Sequence, residues 1–251
     1  MEYSAKTETA FDLLRRDILN GTHLPGTPLR VAALSKRYGV SATPLREALS
    51  RLAEKQLVVA SANRGWRVAP VSMAEFEDLQ RARLTVETGL LMDAIDNGGL
   101  DWEGEIVAAH YRLTQVAQPI GGDDTLPNRK AWLEAHDAFH MALLAAARSN
   151  WLRGFYAQTA EQLQRHHQAL LFHTKAGPGA EARHSEEVES YLRTALSVDR
   201  HTELMRIVLD RDRARAQAAL HEHIEISLRI YQQIVGEMSK TEDPNSEETK
   251  T

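Results

Sequence analysis

Apolar positions near the start of the chain recur at helical spacing. Ala10, Leu13, Leu14 and Ile18 predict a helix over Thr7–Leu19, and Asn20-Gly-Thr-His-Leu-Pro-Gly26 reads as the turn that follows. A short second helix is expected at about Val31–Tyr38, with Gly39 placed to end it. A third starts at Ser41-Ala-Thr-Pro44, where Ser41 can cap orphan amides and Pro44 is tolerated in the first turn. It runs to about Lys55, with Leu45, Ala48, Leu49 and Leu52 inward and Arg46, Glu47, Ser50 and Arg51 polar. The period then changes to two. Leu57–Ala60 and Trp66–Ala69 flank Ser61-Ala-Asn-Arg-Gly65, a short hairpin with an Arg-Gly tip. Three helices and a hairpin in that order make a winged helix-turn-helix.

Beyond Pro70 the pattern is helical throughout. Ser72-Met-Ala-Glu75 is a capping box, and helices are expected at about 73–96, 102–117, 128–147, 150–173, 184–196, 199–209 and 212–235. Gly98-Gly99, the stretch Pro119–Pro127, Gly177-Pro-Gly179 and a turn at Asp210–Asp212 separate them. The fold class is therefore mainly α. A winged helix-turn-helix occupies residues 1–71, an all-helical bundle residues 72–236, and a polar tail with little to bury, expected to be disordered, residues 237–251.

Charge sharpens this division. Net charge is −5 overall, but residues 1–72 carry +5 and the remainder −10, so a basic head precedes an acidic body. Ten of the eleven histidines lie between His110 and His223, which places any imidazole chemistry in the body. The absence of cysteine excludes disulfides, thiolate zinc sites and thiol nucleophiles. No apolar run approaches the roughly 20 residues that span a bilayer, and the start lacks a signal peptide's apolar segment, so no membrane association and a cytoplasmic location are expected.

In the stretch Tyr38–Leu52, YGVSATPLREALSRL, a Gly turn and a capped helix start precede two exposed arginines, Arg46 and Arg51. A recognition helix would present those groups to the major groove, and its N-terminus favours phosphate. This stretch resembles the GntR family of bacterial regulators, whose motif is close to G-V-S-R-T-P-V-R-E-A-L followed by a winged hairpin; the likeness extends over roughly residues 7–69. It implies DNA contacts from Ser41, Thr43 and Arg46, and from Arg64 and Gly65 at the wing tip. Two positions where the family often has arginine hold Ala42 and Ala32 here, so base preference should differ from arginine-bearing relatives.

In the body, Arg83 is surrounded by Phe76, Leu79, Val86 and Leu90 at helical spacing, and an inward arginine must find an anion. Either Glu87 four residues on pairs with it, or it clamps a ligand carboxylate. Further along, the segment Glu134–His140, EAHDAFH, sets His136 and His140 one turn apart within an apolar stripe, with Asp137 at its edge. His201 is in register with Leu204, Met205 and Val208, and His223 with Ala216, Leu220 and Ile230. Four inward histidines on three helices sharing one core suggest a metal site.

This region is similar to the FCD effector domain of the FadR-type branch of the GntR family, over about residues 73–235. The family's R-x-x-[LV]-E pattern falls on Arg83–Glu87, its D-x-x-F-H pattern on His136–His140, and its later histidines on His201 and His223. The resemblance implies a divalent ion, often zinc, that helps to grip a small organic acid. Here His136 stands where the aspartate usually does, and four neutral imidazoles would favour zinc, nickel or copper over magnesium. Asp137 is the alternative fourth ligand, or orients an imidazole from behind.

These features together lead to the expectation of a homodimeric repressor. Paired heads would read a pseudo-palindromic double-stranded operator, and a small organic acid would shift their arrangement. A metal-sensing repressor and a histidine-ligated metalloenzyme are the alternatives.

Overall fold

The computed structural model describes residues 2–61, 65–120, 125–167, 169 and 186–242. The chain divides into two compact units. The first comprises Met1–Phe76 together with Gln158–Ala169, and the second Glu77–Ala157 with the remainder of the chain.

In the first unit, α1 (Glu2–Leu19), α2 (Val31–Tyr38) and α3 (Ala42–Glu54) precede β2 (Val58–Ser61) and β3 (Gly65–Val68). A further strand, β1 (Pro28–Leu29), pairs with β3 and completes an antiparallel sheet of order β1-β3-β2. Two residues are too few to show a period of two, so β1 has no signature in the pattern. The wing pairs Val58 with Val68 and Ala60 with Trp66. Leu14, Leu45, Leu49 and Leu52 form the core against Val58 and Val68. α2 ends on Gly39 in the left-handed conformation, φ 67°, which glycine adopts without steric cost.

The last turns of α7 (Asn150–His167) complete this unit. Buried Arg165 donates to the carbonyls of Ala69 at 2.8 Å and Pro70 at 2.5 Å and to Glu75 Oε1 at 3.0 Å. Gln162 donates to the Lys55 carbonyl at 2.6 Å. The capping box at Ser72 therefore forms by halves. Ser72 Oγ accepts from the Glu75 amide at 3.1 Å, while the Glu75 side chain turns to Arg165 and lies 3.2 Å from His166 Nε2.

Among the described residues the second unit is all-helical: α4 (Met73–Asn97) from Glu77 onward, α5 (Leu100–Thr114), α6 (Leu126–Leu144), the first half of α7, α8 (Glu186–Ala195), α9 (Val198–Leu209) and α10 (Arg213–Glu242). α5 packs on α6 and α9, and α10 on α8 and α9, around Leu90, Ile106, Phe139, Leu143, Val208 and Leu220. α10 continues six residues beyond 236, passing through Gly236 to Glu242. Residues 243–251, and residues 168 and 170–173 of the expected helix 150–173, lie outside the described residues. Among the described residues no helix is long and apolar enough to cross a membrane.

Candidate metal centre and nucleic-acid interface

The first turn of α3 presents its polar residues outward. Ser41, Thr43 and Arg46 are exposed, whereas Leu45, Ala48 and Leu49 point inward. Ser41 occupies the cap position with an extended backbone, φ −69° and ψ 163°, but its hydroxyl makes no cap hydrogen bond. The sequence reading gave that hydroxyl to the helix amides; the structure does not use it there. Arg46 forms no ion pair among the described residues.

Arg51 is placed differently. Its guanidinium donates to Glu8 at 2.8 Å and lies over the Phe11 ring, 4.3 Å from the centroid, so it joins α3 to α1. Arg64 falls outside the described residues. Gly65, exposed at the start of β3, takes φ 81°, a conformation that a side chain would strain.

In the second unit, His136 and His140 on α6, His201 on α9 and His223 on α10 converge. All four are buried, and one nitrogen from each lies within 4.8 Å of the others. Ring centroids are 4.6 Å apart for His136 and His140, 5.0 Å for His136 and His201, and 4.8 Å for His201 and His223.

Three of the rings are held from behind. His201 Nδ1 is 2.8 Å from the Ser197 carbonyl, His140 Nδ1 3.2 Å from Glu87 Oε1, and His136 Nδ1 3.1 Å from Asp137 Oδ1. A carbonyl or carboxylate oxygen only accepts, so in each of these contacts Nδ1 is the donor and Nε2 is the nitrogen left to face an ion. His201 Nε2 is buried without a hydrogen-bond partner. Asp137 thus stands behind His136, with its side chain half-exposed.

Burial, reinforced by the neighbouring imidazole of His136, pushes His201 down to about 3. Burial and the surrounding imidazoles likewise hold His223 well below the usual histidine range. Both rings are therefore neutral at pH 7, the state that ligates a metal. Zinc–nitrogen bonds of about 2.0–2.1 Å imply donor separations of roughly 3.3 Å in a tetrahedron. A spread within 4.8 Å closes to that by small side-chain rotations, so the residues fit a divalent ion.

Beside them Arg83 is buried and donates through Nε to Glu87 Oε2 at 2.6 Å. Burial alone would lower its pKa, but the Glu87 carboxylate, together with Tyr156 and Asp137, holds it above the usual arginine value. Its NH2 group lies 3.3 Å from His140 Nδ1, the atom that also faces Glu87. Nδ1 cannot accept from Arg83 and donate to Glu87 at once, so a lone pair on Nε2 requires the Glu87 bond.

The sequence reading missed Trp132, whose ring stacks on His136 with centroids 4.8 Å apart and planes 20° from parallel. Its position four residues before His136, on the same helical face, was the available signal.

Comparison with known proteins fits both halves. Residues 6–68 match the family described as bacterial regulatory proteins, gntR family, and residues 78–226 match the FCD domain. The uncharacterized HTH-type transcriptional regulator BphR of Paraburkholderia xenovorans is 32% identical over 81% of this chain and 82% of its own length. The HTH-type transcriptional repressor GlaR of Escherichia coli is 31% identical over 88% of this chain and 93% of its own. Among solved structures, E. coli McbR/YncC superposes with a TM-score of 0.66 at 21% identity, covering 91% of this chain and 97% of that one. A putative GntR regulator from Rhodococcus sp. RHA1 gives 0.65 at 23%, covering 93% and 98%. At those identities the structural likeness shows the fold alone. The families and relatives are transcriptional regulators, not enzymes, which removes the metalloenzyme alternative. The chain therefore belongs to the GntR family, as a DNA-binding transcriptional regulator that carries an FCD effector domain.

Proposed function

We propose that this protein is a cytoplasmic, homodimeric repressor whose grip on a pseudo-palindromic operator is set by a small carboxylate bound beside a zinc ion. The observation that carries the reading is the set of four buried imidazoles, three fixed from behind, with the buried Arg83–Glu87 pair touching one of them. His136, His140, His201 and His223 ligate the ion, with nickel able to take the same nitrogen set. Asp137 orients His136. Arg83 supplies the cation that meets the carboxylate. A relative named as a repressor supports the sign of the regulation. Dimerisation follows from physics, because one winged helix reads too few base pairs to be specific.

In the head, Ser41, Thr43 and Arg46 of the recognition helix contact the DNA, as do Arg64 and Gly65 at the wing tip by the family resemblance. Arg46→Ala is expected to lower affinity about 10-fold to 100-fold, corresponding to roughly 1–3 kcal/mol for a base-reading arginine. Arg51→Ala should cost several-fold less, because Arg51 is already committed to Glu8. Fluorescence anisotropy measures both, on a site selected from random-sequence DNA by the zinc-loaded protein.

The same assay tests the regulation. Small mono- and dicarboxylates should change operator affinity in zinc-loaded protein and lose that effect after chelation. A second reading, a metal-sensing repressor, draws on the 2.6 Å bond that already occupies Arg83. It wins if zinc alone alters DNA affinity and no acid does.

A further inference from the structure

A polar group buried without a partner destabilises the fold, and native proteins hold few of them. In the helical unit, both side-chain amide atoms of Gln80 and the indole Nε1 of Trp132 are in that state among the described residues. Gln80 is 2% exposed and Trp132 3%. Neither is needed by the ligand set described above.

Their positions are informative. At about 100° per residue, Gln80 lies about 60° around α4 from Arg83 and about 20° from Glu87, so all three share one face. Arg83 and Glu87 both reach His140 on α6. Trp132 stands one turn before His136 on α6 and stacks on its ring. The two helices that bring the cation and two imidazoles together thus each carry an unsatisfied polar group about one turn away. An apolar side chain at position 80 would avoid the cost of an unpaired amide, which makes a ligand-facing role the economical account.

We propose that Gln80 and Trp132 are specificity-determining residues of the effector pocket, selecting a small carboxylic acid that carries a hydroxyl group over the acid without it. A hydroxyl both donates and accepts, and a primary amide offers one of each in a single plane. The indole N–H only donates, so it takes an oxygen of the acid. A site built to bond a hydroxyl discriminates strongly against the analogue lacking it, because its own groups are then left unpaired. This inference rests on the reading of the helical unit as a carboxylate-responsive domain.

The test uses the full-length zinc-loaded protein and pairs of acids that differ by one hydroxyl: malate with succinate, and citrate with tricarballylate. Thermal shift and calorimetric titration should show the hydroxylated member of a pair binding at least about 10-fold tighter. Gln80→Leu should erase that preference, raise the melting temperature of the acid-free protein, and leave zinc affinity unchanged in competition with a chromophoric chelator. Should that variant fail to fold, Gln80→Met carries the same expectation. Trp132→Phe keeps an aromatic ring to stack on His136, removes the N–H along with the rest of the pyrrole ring, and should weaken hydroxy acids several-fold. Equal shifts from both members of every pair, or a preference that survives both Gln80 variants, overturn this inference while leaving the carboxylate reading intact. Absence of any response to any acid, with zinc bound, overturns both.

Discussion

Zinc added to chelator-stripped protein is expected to raise the melting temperature of the helical unit by roughly 8–16 °C when the ion is present at about 1,000 times its dissociation constant. The figure combines about 4 kcal/mol of ligand-linked stabilisation with about 2–4 °C per kcal/mol for a domain of this size. Magnesium at the same concentration should produce no comparable shift, because the donors are imidazole nitrogens and not oxygens. His140→Ala and His136→Ala are expected to abolish the zinc response. Asp137→Ala should reduce zinc affinity about 10-fold to 100-fold without abolishing it, the effect of losing a residue that only orients a ligand. The reverse order, with Asp137→Ala fatal and His136→Ala tolerated, would exchange their assigned roles. Differential scanning fluorimetry with a metal titration reads all four proteins.

Arg83→Ala should be the most destabilising single change around the centre, at about 3–5 kcal/mol in urea unfolding, because it strands the Glu87 carboxylate in a fully buried position. The loss should appear as a lower midpoint at unchanged m-value. Removing both charges is a different experiment. Arg83→Met with Glu87→Leu replaces the pair by apolar side chains of similar length and should recover most of the stability. The double variant should still bind zinc, more weakly for want of the Glu87 bond to His140, and should lose any response to carboxylates. If the double variant keeps a full carboxylate response, Arg83 is a structural ion-pair partner alone.

The legible parts of this chain were those with a long period. Ala48, Leu49 and Leu52 identified the inward face of α3, and all three are buried. The inward placement of His136, His140, His201 and His223 was visible from apolar neighbours at helical spacing. What remained hidden was chemistry decided by contacts distant in sequence. Helical spacing places Arg51 on the polar face of α3 but gives no sign of its ion pair with Glu8, 43 residues away. Glu75 looked like half of a capping box, but Arg165, 90 residues later, takes its carboxylate. Gln80 drew no attention because a polar residue beside Arg83 reads as surface on a helix whose apolar stripe is broad; only its burial sets it apart.

The hydrogen bonds from Arg165 to the Ala69 and Pro70 carbonyls bear on how the DNA-reading head can be handled as a separate piece. A fragment cut after Phe76 keeps the three helices and the wing but forfeits the late segment Gln158–Ala169 that finishes its unit. In such a fragment the Ala69 and Pro70 carbonyls and that of Lys55 lose their side-chain donors together. Grafting this head onto another regulator would therefore call for the segment 158–169 as well, supplied either in its native chain order or as a helix fused beyond residue 76.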